Sequence, residues 1–302
     1  MRTKTNKYLR QEMTAWFMSA PALIILLLFM IVPLLMSVYF SFTNRMLIMP
    51  PHLSTKFLGL ENYRRILEQN DFFIALMNTL KFALVVVPVQ TTLALLLALL
   101  INSKLRFIYF FRTVFFSPVV ITMVVVSIIW SLLLAPGPEG FINSFLSHIT
   151  FGAFEPKAWL FDKHSSLYAI MMFSIWQGVG FQMIIFLAGL QYISKDLYEA
   201  SGLDGASKIQ QFFYVTLPQL RNTSVFIMIT TTIFAFKLFT QVLVLTNGGP
   251  QDSTLTLVYL LYSEGFTKMK IGYSSAIGVL FFLIVLLISI VQMKLTKVNR
   301  EG

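Results

Sequence analysis

Cysteine is absent from all 302 residues, which excludes a disulfide framework, a thiolate metal site and a thiol nucleophile. Charge is scarce too: 12% of residues are Asp, Glu, Lys or Arg, against about 25% in soluble globular chains. Only three histidines occur, His52, His148 and His164, all outside the long apolar runs and without ligand spacing. No metal site is expected from them. No G-x-x-x-x-G-K-[ST] phosphate loop can be found, and no polar segment is large enough for a nucleotide-binding domain. The apolar runs carry no paired carboxylates, so neither an intramembrane hydrolase nor a proton relay is supported. Tandem repeats and low-complexity tracts are missing as well.

What fills the chain is apolar: 57% of residues are hydrophobic. About 20 mostly apolar residues cross a bilayer as helix. The sequence predicts six such spans, near Ala15–Phe42, Leu76–Ile101, Ile108–Leu134, Leu167–Leu190, Ser224–Leu245 and Ile271–Met293. The fold class is therefore an all-α polytopic membrane protein. The first run exceeds the 7–15 residues of a signal-peptide core and reads as a retained anchor after a short polar segment, residues 1–14. Residues 294–302 form a polar tail. Prolines 21, 33, 88 and 118 lie in or near spans, where they suggest kinked helices around a cavity.

The net charge of +10 has two readings, nucleic-acid binding or cytoplasmic retention of Lys and Arg. In a chain of this hydropathy the second applies. With the N-terminus inside, thirteen basic residues fall on the inner side: Arg2, Lys4, Lys7, Arg10, Lys104, Arg106, Arg112, Lys195, Lys208, Arg221, Lys294, Lys297 and Arg300. Eight fall outside, including Arg64 and Arg65 in the long first outer loop. Both termini are thus expected in the cytoplasm. In the outer loops, FLGLENYRRIL (57–67) and the stretch after APGPEG (135–140) read as short amphipathic helices at the interface.

One inner loop, 194–218, is conspicuously polar. Ser194 suits an N-cap, Asp196 and Glu199 sit where the helix dipole favours acids, and Asp204-Gly205 ends the helix. A second short helix is expected over Ser207–Val215, with Pro218 in the first turn of the next. An amphipathic surface hairpin would account for the helices but not for the offsets of Glu199-Ala200-Ser201, Gly205 and Leu217-Pro218.

Those offsets resemble the EAA–G–LP loop of ABC importer permeases; Ser201 stands where the family pattern has a second alanine. NTLKFALVVVPVQ (78–90), FRTVFFSPVVITMVVVSIIW (111–130), WQGVGFQMIIFLAGLQYISKDLYEAS (176–201) and FKLFTQVLVLTNGGP (236–250) are similar to carbohydrate-type permeases, the last to the maltose-importer subunit that pairs with a distinct second permease. The resemblance implies a type I importer fold in a prokaryotic inner membrane, with partners for each task. These are a second homologous permease, two ATPase subunits that use ATP and Mg, and an extracytoplasmic solute-binding protein. It implies no cofactor on this chain, and docking on the ATPase through Tyr198, Glu199, Ala200, Ser201, Leu203, Asp204, Gly205, Ala206, Leu217 and Pro218.

By the same resemblance, substrate-lining positions are Gln177, Gly178, Phe181 and Gln182 in the fourth span and Phe236, Lys237, Thr240 and Gln241 in the fifth. Helix packing by small residues and aromatics is the alternative for each. Lys237 is the most informative. A lysine at a helix centre costs about 2.5–3.5 kcal/mol on insertion scales, so it needs a cavity or a partner. Many relatives carry an Asp three residues on; Thr240 stands there instead. A substrate carboxylate or phosphate, an acid on the partner permease, or snorkelling could each satisfy the ammonium. The implied substrate is a sugar or oligosaccharide, neutral or acidic, with glycerol phosphate as an alternative. A self-sufficient ion-coupled transporter is the competing class, but it usually needs intramembrane acids.

Overall fold

The computed structural model describes residues 2–51, 53–102 and 108–295. His52, Lys104, Arg106 and the tail beyond Leu295 lie outside them. Among the described residues the regular structure is helical, apart from an isolated bridge between Thr43 and Phe57. Five helices are long and apolar enough to cross a membrane, and a bent helix pair makes up to six. The chain divides into two compact units, Met1–Glu68 with Leu261–Leu280, and Gln69–Leu260 with Phe281–Gly302.

In the first unit, α1 (Arg2–Leu26) continues through a wide turn, Leu27–Ile31, into α2 (Val32–Ser41). The cause is Pro33, which has no N–H to give: just before it, Val32 N–H reaches back five residues to Leu27 O. α3 (Glu61–Glu68) forms within the stretch expected to be amphipathic and turns Asn62 and Ile66 inward. The Asn62 amide donates to Ser41 O and Thr43 O, both at 2.9 Å, so α3 is tied to the end of α2. The start of α15 (Ile271–Leu295) sits so close to Thr43 that only a glycine, Gly272, fits.

The second unit is built on α8 (Ser166–Tyr192), which packs along α4 (Asn70–Asn102). Small residues allow the approach, as membrane helices require. A Cβ at Gly178 would strike the Gln90 amide, and one at Gly180 the carbonyl oxygen of Phe115 on α5 (Ile108–Val120). One core cluster gathers Ala94, Ala98, Val179, Met183 and Phe186; another gathers Phe82, Val86, Ile170, Ala235 and Phe236.

Two expected spans are broken. The third, read as Ile108–Leu134, consists of α5 and α6 (Met123–Leu133), bent by 101° at Ile121-Thr122. Pro118 removes one ladder donor, and the Ser117 hydroxyl donates to Val114 O at 3.0 Å, the carbonyl that Pro118 leaves open. The β-branched run Val119–Thr122 then disfavours another helical turn. The fifth consists of α12 (Arg221–Phe236) and α13 (Thr240–Leu245), with Lys237–Phe239 non-helical between them. In α7 (Phe141–Ile149), Asn143 ties down the chain on both sides of the helix by donating to Gly137 O and Lys157 O and accepting from the Trp159 indole.

Candidate functional site

Non-helical backbone at membrane depth is tolerated where it lines a cavity or is buried in protein. Both broken spans border a cavity of about 500 Å³ inside the second unit. Val119 and Met123, either side of the α5–α6 elbow, form part of its wall; Lys237 and Thr240 mark the α12–α13 break. α8 contributes Ser174, Gln177, Gly178, Phe181, Gln182 and Ile185, a single face at helical spacing. α4 adds Phe82, Val86 and Gln90, again one face.

Seven of the eight positions expected to line a substrate site fall together on this wall: Gln177, Gly178, Phe181, Gln182, Lys237, Thr240 and Gln241. Phe236 does not. It is 2% exposed and packs among Phe82, Val86, Leu167 and Ile170. Neighbouring helical residues point about 100° apart, so Phe236 faces the core while Lys237, at the helix end, faces the cavity. Sequence reasoning missed Gln90, Ser174, Thr230 and Thr231. Gln90 carried a usable signal, an amide within an otherwise apolar run. The threonines carried little, because their hydroxyls bond back to Phe226 O and Ile227 O and read as ordinary helix.

The wall is largely apolar, with amides and hydroxyls set into it, and sparsely charged. Gln182, 4% exposed, donates its amide to Thr231 while its carbonyl oxygen has no hydrogen-bond partner among the described residues. Phe181 is half exposed and can stack on a ring. Among the described residues, Lys237 is the single ionisable side chain on the wall.

The 194–218 loop forms a second candidate surface. Ser194 caps α9 (Lys195–Leu203), accepting from Asp196 N–H at 3.2 Å. Asp204 closes the helix and Gly205 turns the chain at φ +80°. Ser207 and Gln210 form a reciprocal capping box at the start of α10 (Lys208–Gln211). The helix expected to run from Ser207 to Val215 stops being regular at Phe212–Thr216. There Leu217 N–H reaches Phe212 O ahead of Pro218 in α11 (Leu217–Gln219), the same response to proline as at Pro33. Inside the loop, Tyr198 bonds Thr216, and Gln211 bonds Tyr198 O and the Ser201 hydroxyl. The loop also exposes large apolar side chains: Leu203 is 91%, Ile209 71%, Phe213 56% and Tyr214 79% exposed. Glu199, Ala200 and Asp204 are also exposed, while Ala206 is half-buried.

Residues 72–297 match the family model described as the binding-protein-dependent transport system inner membrane component. The chain belongs to that family. A probable ABC transporter permease of Bacillus subtilis is 36% identical, the match covering 93% of this chain and 95% of that protein. An arabinooligosaccharides transport system permease of Halalkalibacterium halodurans is 32% identical over 97% and 90%. Among solved structures, a chain of a bacterial ABC transporter that imports the acidic polysaccharide alginate shares the fold. Its TM-score is 0.83 at 20% identity, covering 99% of this chain and all of that one. The family member is thus a multi-pass inner-membrane transport component, working in a system that depends on a binding protein.

Proposed function

We propose that this chain is the membrane-spanning permease subunit of an ATP-driven importer for a sugar or oligosaccharide. It forms half of a pathway whose other half is a second, homologous permease. The observation that carries the reading is the cavity between two broken spans, lined by amides, hydroxyls and an exposed phenylalanine, the groups that hydrogen-bond and stack on carbohydrate. The arabinooligosaccharide relative supports the substrate class.

Import against a gradient needs an energy source, and this chain has no phosphate loop. ATP and Mg therefore act in two partner ATPase subunits, which grip the exposed face of α9–α11 on the cytoplasmic side. Both termini lie on that side, in keeping with the inward excess of Lys and Arg. A solute-binding protein delivers substrate from outside. ATP-driven closure of the partners moves the loop and rocks the spans around the cavity.

Deleting this chain and measuring energy-dependent uptake of labelled oligosaccharides tests the reading. Loss of uptake of at least one class is expected. Unchanged uptake of every sugar supplied would contradict it.

A further inference from the structure

The cavity wall carries one positive charge and nothing to balance it. Lys237 is exposed to the cavity, and its ammonium has no carboxylate or hydrogen-bonded partner among the described residues. No Asp or Glu stands anywhere on the wall. Along the chain, the acids nearest the wall segments are Asp71 in the first turn of α4, Asp162 and Asp196 on either side of α8, and Asp252 in the loop beyond α13. The lysine lies within the apolar stretch Arg221–Leu245, long enough to cross a membrane, at the end of α12. It occupies the break between α12 and α13, where its backbone N–H closes the last turn on Ile233 O and Phe234 O.

We infer that the substrate is an anionic saccharide, a uronate-bearing oligosaccharide whose carboxylate meets Lys237. The inference rests on the sugar-import reading and narrows it. A compact ammonium suits a single oxyanion, and a charge-assisted contact in a cavity of low polarity discriminates strongly against neutral analogues.

The test uses the intact importer in its own host. Cells receive a mixture of neutral oligosaccharides, oligogalacturonates, oligoglucuronates and glycerol 3-phosphate, and uptake of each is followed by mass spectrometry. Strains carry the wild-type chain, no chain, Lys237→Met or Lys237→Arg, with membrane abundance of the assembled complex measured alongside. The expected result is uptake of a uronate oligosaccharide that needs this chain, falls roughly tenfold or more in Lys237→Met and persists in Lys237→Arg, with complex abundance unchanged. Three results would overturn the inference. Chain-dependent uptake confined to neutral sugars would leave sugar import standing but remove the anionic class. Chain-dependent uptake of glycerol phosphate alone would assign Lys237 to a phosphate. A loss of assembled complex in Lys237→Met, with Lys237→Arg restoring it and neutral uptake following abundance, would make the lysine an assembly contact. Deletion without effect on any sugar would instead defeat the parent reading.

Discussion

The Gln211 side-chain amide donates to the backbone carbonyl of Tyr198 and to the hydroxyl of Ser201, both at 3.1 Å. This one buried side chain joins the two arms of the 194–218 loop. It also gives Ser201, where the family pattern has alanine, a role of its own: the hydroxyl accepts from Gln211 and donates to Tyr198 O. Losing a buried amide's bonds costs about 1–3 kcal/mol. Gln211→Leu should therefore loosen the loop and reduce transport several-fold, with the chain still inserted. Ser201→Ala should be milder, since the Tyr198 contact remains. Uptake assays with immunoblots for membrane abundance check both.

Two glycines should fail in different ways. Gly205 holds φ +80° in open space, with nothing within 4 Å of a Cβ. Gly205→Val then meets only backbone strain, about 1–2 kcal/mol, and should impair coupling while leaving the spans folded. Gly180 has an ordinary helical backbone, but a Cβ there collides with the Phe115 carbonyl. Gly180→Val should separate α8 from α5 and deplete the protein from the membrane. Thermal stability in detergent distinguishes the two.

Adjacent aromatic positions give a similar contrast. Phe236 is buried in the core, and Phe236→Ala should cost about 3–5 kcal/mol, read as lowered abundance. Phe181 is half exposed on the cavity wall. Phe181→Ala should leave abundance near wild type and weaken transport, measured as uptake at limiting substrate.

The sequence made some of this legible and hid the rest for physical reasons. The spans stood out because bilayer-crossing helices need long apolar runs, and the polar loop because Ser194, Asp204-Gly205 and Pro218 are caps and breakers with local causes. Pro118 signalled a kink in the third span, but the size of the bend at Ile121-Thr122 and the break at Lys237–Phe239 stayed hidden, since hydropathy reads composition and is the same on either side of a bend. The assignment of Phe236 to the cavity failed for a related reason: which of two neighbours turns inward depends on where the helix ends. Gln90 was visible as an amide in an apolar run, but its closeness to Gly178 appears only in the fold.

The loop after α13 is strained and externally held. Asn247, Gln251 and Asp252 have positive φ without being glycine, conformations that persist only when surroundings impose them. Asn78 supplies part of that restraint, donating to Asp252 O at 2.8 Å and Leu255 O at 3.0 Å. Asn78→Ala should speed hydrogen exchange across residues 246–256 and leave α8 unaffected.

The central claim, that α9–α11 grips an ATPase partner, is open to a direct measurement because the chain has no cysteine. Leu203→Cys places a single thiol at the most exposed apolar point of α9. Membranes containing the importer would be treated with a short bismaleimide, with and without ATP. The expected result is an adduct between this chain and the ATPase subunit whose yield changes with ATP. A Leu203→Cys chain whose thiol reacts fully with a monofunctional maleimide, yet gives no ATPase adduct in either condition, would contradict it.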